Sequence, residues 1–174
     1  ALTAASLTDI KAITETLAQA TGREVQAEAV KERLDEAMDS ARESLTVSPK
    51  VLVSGSFEDE FSTWTKSSFI GTLLEGVGAR YIFDGAPTPS EGKGEVAKLT
   101  VESLSELNPE YLFIYGDPSR WREHPIYSKL QAYQNGRIAL VDRDLWARSR
   151  GPLAALAILD EYQKFVHQAD GDKS

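Results

Sequence analysis

All three tryptophans of this 174-residue chain stand in segments that follow short apolar runs, each beside hydroxyl or cationic neighbours. Trp64 leads into Thr65-Lys66-Ser67-Ser68. Tyr115 opens a stretch that contains Arg120-Trp121-Arg122, and Trp146 is followed by Arg148 and Arg150. Flat rings supply contact area at small entropic cost, and guanidinium forks match carboxylates and other oxyanions, so this mixture suits a bulky anionic ligand. The candidate contact residues are therefore Trp64, Ser68, Tyr115, Arg120, Trp121, Trp146, Arg148 and Arg150. Taken singly, a surface arginine is usually solvated and a loop tryptophan usually a plug; the case rests on their sharing one edge.

Other chemistries have less to build on. The run Gly92-Lys93-Gly94-Glu95-Val96-Ala97 has the order G-x-G-x-x-A, but it lies several residues beyond the nearest strand candidate, and no G-x-x-x-x-G-K-[ST] segment exists. His124 and His167 are the only histidines, far apart, and there is no cysteine, so a transition-metal site built from such ligands is excluded. No serine sits in G-x-S-x-G, and only His124 falls in a loop where a base could serve one. Glu58, Asp59 and Glu60 could act in acid/base work or hold a hard cation, although such acidic runs are more often solvated loops. These residues point to a binding protein that is not an enzyme and carries no cofactor of its own.

The elements that must position the candidates follow from periodicity. Ser6 to Asp9 forms a capping box, Ile10, Ile13 and Leu17 recur at helical spacing, and Gly22 supplies a stop. Val30, Leu34, Met38, Ala41 and Leu45 then make a narrow apolar stripe on a charged helix spanning residues 22–45. After Pro49 the regime changes. Val51-Leu52-Val53, Tyr81-Ile82-Phe83, Tyr111-Leu112-Phe113-Ile114 and Ile138-Ala139-Leu140-Val141 read as short buried strands, separated by helical faces. The expected fold is α/β, an open and mainly parallel four-stranded sheet flanked by helices and preceded by a long helix, with residues 85–98 as a loop. Ligands of such sheets bind beyond the carboxyl ends of the strands, where the candidate residues fall. The formal net charge of −8, without a Lys/Arg cluster, disfavours nucleic acid, and the longest apolar run is far shorter than the roughly 20 residues of a membrane span.

In order and local wording the chain is similar to the C-terminal half of the ferric-siderophore and cobalamin binding proteins of ABC importers. The resemblance is carried by Thr21-Gly22-Arg23-Glu24 before the charged helix, Val51-Leu52-Val53-Ser54-Gly55, Ser67 through Ala79, Leu107-Asn108-Pro109-Glu110, Asn135-Gly136-Arg137-Ile138 and Arg150-Gly151-Pro152. It implies that residues 1–46 are the end of an N-terminal lobe with the interlobe helix, and residues 47–174 a C-terminal α/β lobe. It also implies a ferric siderophore or related iron chelate as ligand, iron bound only as that chelate, and a missing N-terminal lobe as partner. The place would be the periplasm or the outer face of the cytoplasmic membrane, peripheral to the membrane and in some members as a lipoprotein. Glu75 stands where the family's permease-docking acid stands, and is expected to be exposed and unpaired. Where several members carry an arginine at the start of the first C-lobe helix, this chain has Ser68-Phe69-Ile70-Gly71. Two other readings of the residues stay open: a flavodoxin-like nucleotide- or phosphate-binding enzyme or regulatory domain using the same sheet edge, and an interaction module docking through the helix from Val25 to Leu45.

Overall fold

The computed structural model describes residues 6–45, 47–57, 60–89, 95–117, 119 and 123–171. Helix α1 (Leu7–Thr21) starts at the expected capping box: Ser6 Oγ accepts from the Asp9 amide at 3.2 Å, and Asp9 Oδ2 accepts from the Ser6 amide at 3.0 Å. It stops at Gly22, whose φ of 64° lies in the left-handed region that glycine enters without Cβ strain. Helix α2 (Glu24–Glu43) follows, two residues shorter at each end than the charged stripe suggested. Its buried face of Leu34, Met38 and Ala41 joins the core, while Val25 is exposed.

The strands are β1 (Lys50–Phe57), β2 (Glu60–Trp64), β3 (Arg80–Tyr81), β4 (Val96–Leu99), β5 (Tyr111–Gly116) and β6 (Ile138–Leu140). Between and after them lie α3 (Phe69–Gly76), α4 (Val101–Leu107), α5 (Gln131–Gln134) and α6 (Pro152–Gly171), with a π-helical turn at Asp144–Arg148. All four expected strands exist, and β3–β1, β1–β5 and β5–β6 pair in parallel. The sheet nevertheless has six strands in the order β4-β2-β1-β5-β6, with β3 also on β1, and it is mixed. The four-stranded expectation is corrected by an antiparallel ribbon: β1 turns back into β2 across a two-residue connection closed by the pair Phe57↔Glu60, and β4 pairs antiparallel with β2.

The two regimes follow from side chains. Val51, Leu52 and Val53 are fully buried, as a strand covered on both faces requires. From Ser54 to Ser56 β1 carries small residues, and the two serine hydroxyls serve the backbone: Ser54 Oγ donates to Ser62 O at 2.8 Å and Ser56 Oγ to Asp117 O at 2.6 Å, while Thr63 Oγ1 of β2 donates back to Val53 O at 2.9 Å. Buried hydroxyls are thereby satisfied. Phe69, Ile70, Leu73 and Leu74 of α3 and Ala155, Ile158, Leu159 and Tyr162 of α6 belong to the same core. Among the described residues no helix is long and apolar enough to cross a membrane.

Gly71 permits the closest approach in this packing, because a Cβ there would lie 2.5 Å from the carbonyl oxygens of both Thr65 and Lys66. Backbone cannot yield as a flexible side chain does, so Gly71→Ala should lower stability by about 1–3 kcal/mol in urea unfolding. An unchanged midpoint would contradict the seating of α3 against that loop.

Candidate ligand-binding edge

At the carboxyl end of the sheet the loop between β6 and α6 brings Arg150 over the ribbon. The guanidinium carbon sits 4.9 Å from the ring centre of Trp64 and 5.3 Å from that of Phe69. Its Nη1 donates to the carbonyls of Ser149 at 2.9 Å and Ala147 at 3.3 Å, and its Nη2 to Glu95 Oε2 at 3.3 Å. A planar cation between ring faces is attracted by their quadrupoles, and the carbonyl contacts fix the direction of the fork. Glu95 is held in place because its own carbonyl accepts the Thr65 amide at 2.8 Å, tying the approach to β4 to the residue after Trp64.

Tyr115, near the end of β5, completes the cluster. It lies opposite Gly55, where a Cβ would come 2.7 Å from the Tyr115 ring and 2.8 Å from Ser62 Oγ, so glycine is the residue that lets the ring lie flat there. Burial pushes the Tyr115 phenol above its ordinary pKa, with Ser62 and the charges of Arg143 and Arg150 acting the other way. The group stays neutral and able to hydrogen-bond at physiological pH.

The structure thus brings Trp64, Tyr115 and Arg150 together, and it corrects the expectation that the two rings are exposed, since Trp64 and Tyr115 are both buried in the core. Trp146 is fully buried, stacked on Phe113 at 4.9 Å, with its Nε1 donating to Glu161 at 2.6 Å. The expectation that it borders an exposed edge is corrected: the turn Asp144–Arg148 aims the indole inward. Ser68 is also buried, and its Oγ accepts the Gly71 amide at 3.1 Å as the N-cap of α3. Arg148 is exposed and pairs locally with Asp144 at 2.8 Å. Arg120 and Trp121 lie outside the described residues, as do Glu58 and Asp59. Glu60 pairs across the ribbon with Lys98 at 2.9 Å. Glu75 is not unpaired as expected: it accepts the Tyr81 amide at 2.8 Å and faces Lys66 at 3.3 Å, half-buried between α3 and β3.

His124 is exposed, its Nδ1 accepting the Ile126 amide at 3.2 Å, and among the described residues no group of three or more His, Asp or Glu is placed to hold a metal ion. Val96 and Ala97 of the glycine-rich run lie in β4 and open no helix, which removes the geometry a dinucleotide fingerprint needs. The residue that sequence reasoning missed is Glu95. Its only local signal is the short alternation of β4, buried at Ala97 and Leu99.

A family model described as "Periplasmic binding protein" matches residues 3–145. The chain belongs to that family. It is 29% identical over 153 residues to the Fe(3+) dicitrate-binding periplasmic protein FecB of Escherichia coli, which covers 84% of this chain and 48% of that protein. It is 30% identical over 162 residues to the putative ABC transporter substrate-binding lipoprotein YhfQ of Bacillus subtilis, covering 86% of this chain and 50% of the relative. This periplasmic binding protein chain therefore spans about half the length of the relatives it matches. Its fold superposes on the petrobactin-binding protein YclQ of Bacillus subtilis with a TM-score of 0.78 at 17% identity, over 94% of this chain and 61% of that one.

The placement of Trp146 separates a packing role from a ligand role. Trp146→Ala should cost about 3–5 kcal/mol, the range for truncating a buried aromatic, measured by urea denaturation. Near-native stability would return Trp146 to the candidate edge.

Proposed function

We propose that this chain is the C-terminal part of a substrate-binding protein that captures an iron chelate outside the cytoplasmic membrane and delivers it to an ABC importer. The observation that carries the proposal is the Arg150 guanidinium held over Trp64 and Phe69, beside Tyr115, at the carboxyl end of the sheet. The rings of Trp64, Phe69 and Tyr115 are packed into the core, so the arrangement presents to a ligand the directed and partly exposed cation of Arg150, which suits a periphery of carboxylates or catecholate oxygens. Iron that arrives already chelated needs no protein ligand, so recognition falls on the chelator's outer atoms. Ferric citrate and siderophore complexes share that chemistry, and relatives are named for ferric dicitrate and petrobactin.

In this reading residues 1–46 are the end of the N-terminal lobe with the interlobe helix, and residues 47–174 the C-terminal lobe. The site closes only when the other lobe faces this edge. Half of a two-sided cleft supplies about half the contacts against nearly the whole association entropy, so the isolated chain binds weakly. Glu75 is the residue for the permease. Its present bonds join α3 to β3, and docking would exchange the Lys66 ammonium for a permease arginine.

Titration of the chain with ferric dicitrate and with ferric catecholate and hydroxamate chelates, followed by tryptophan fluorescence, tests the proposal. Quenching that disappears in Trp64→Phe is expected, and Arg150→Gln should weaken binding about tenfold or more, the scale of a charge-assisted hydrogen bond. A response to nucleotides alone would overturn the reading.

A further inference from the structure

The Arg150 fork already holds a carboxylate, and the manner of that pairing is unusual. Glu95 and Arg150 side chains are 16% and 23% exposed, so both charges are largely withdrawn from water. A withdrawn ion pair is stabilising only when its geometry is good and the remaining lone pairs are satisfied. Here neither condition holds. The single contact, Nη2 to Oε2, is 3.3 Å, at the long end of hydrogen bonding, and the other carboxylate oxygen, Oε1, is buried with no hydrogen-bond partner among the described residues. A buried acceptor left without a donor forfeits its hydration with no return.

The arginine, by contrast, is fixed independently of Glu95. The carbonyls of Ser149 and Ala147 and the rings of Trp64 and Phe69 hold it. If the acid left, the fork would keep its place. Glu95 therefore contributes little to positioning Arg150 and much to neutralising it.

Resting on the reading of this edge as the chelate site, we propose that Glu95 is an internal competitor for Arg150: a carboxylate of the protein occupies the fork in the empty lobe and is displaced by a carboxylate or other oxyanion of the ligand. Displacement exchanges one long ion pair for a ligand contact and releases a poorly satisfied acid to water. It also sets a threshold of selectivity. A ligand with a well-placed anionic group can replace Glu95, whereas one presenting only neutral oxygens meets an occupied fork and brings no charge to exchange for the acid's. Glu95 is thus a specificity-determining residue for the anionic class of chelates.

The test is a double-mutant cycle on this chain with ferric dicitrate in excess citrate as probe, using wild type, Glu95→Gln, Arg150→Gln and the double variant, with Glu95→Ala repeating the first arm. Far-UV circular dichroism confirms that each folds. Glu95→Gln keeps the shape and removes the charge, so it should tighten binding about fivefold or more, and the gain should vanish in the Arg150→Gln background. Equal or weaker binding by Glu95→Gln, or the same gain without Arg150, overturns the competition and leaves the chelate site standing. No binding by any of the proteins overturns both.

Discussion

Everything at the candidate edge depends on the change of regime within β1. Its first half is apolar, covered on both faces and paired in parallel with β3 and β5; its second half is small and polar, and pairs with β2 in the opposite sense. At this point β3 has ended, and the hydroxyls of Ser54, Ser56 and Thr63 supply donors to carbonyls around the change. An aliphatic residue at Ser54 or Thr63 would lose those bonds and press bulk into space filled by neighbouring backbone. The ribbon delivers Trp64 beside the start of α3, and without it Arg150 would keep only the Phe69 ring to lie against.

The electrostatics of the edge are those of a chain with net charge −8 that keeps its described cations there matched. Arg148 has Asp144, Lys66 has Glu75, and Arg150 has Glu95. The Lys66–Glu75 pair is half-buried on its Glu75 side, and the Arg148–Asp144 pair is open to solvent and worth little. The third is withdrawn from water and imperfectly made, so it is the pair in which replacing one anion by another has the largest energetic consequence. The same arginine appears both as the attractive element and as the site of competition because a guanidinium has donors to spare once its plane is fixed.

Much of the fold was legible in the chain itself. The Ser6–Asp9 box, the stop at Gly22 and the left-handed Asn108 before Pro109 are local signals, decided by atoms a few residues apart, and the continuous apolar runs marked all four parallel strands. The ribbon was not legible. The acidic run Glu58-Asp59-Glu60 and the hydroxyl-rich residues on either side of it read in the sequence as a solvated loop, and β4 is only four residues long. Of the site, Trp64, Tyr115 and Arg150 could be chosen by residue type and strand-end position. Glu95 could not, since it meets Arg150 across 55 residues of sequence and stands in the stretch 85–98, which reads as a loop. Trp146 shows the converse: a tryptophan beside arginines looks like a ligand contact until the turn that carries it is seen to face Phe113 and Glu161.

The central claim, that an iron chelate sits against Arg150, Trp64 and Tyr115, is tested most directly by the paramagnetism of the ligand. Ferric dicitrate added to isotopically labelled chain should broaden backbone amide resonances by proximity, with the gallium complex as a diamagnetic control. Broadening confined to residues 62–66, 95, 115–117 and 149–151 is the expected result. Broadening centred instead on the cavity of about 390 Å³ lined by Tyr127, Tyr133, Gly136, Ile138 and Leu140, at the opposite margin of the sheet, would contradict it.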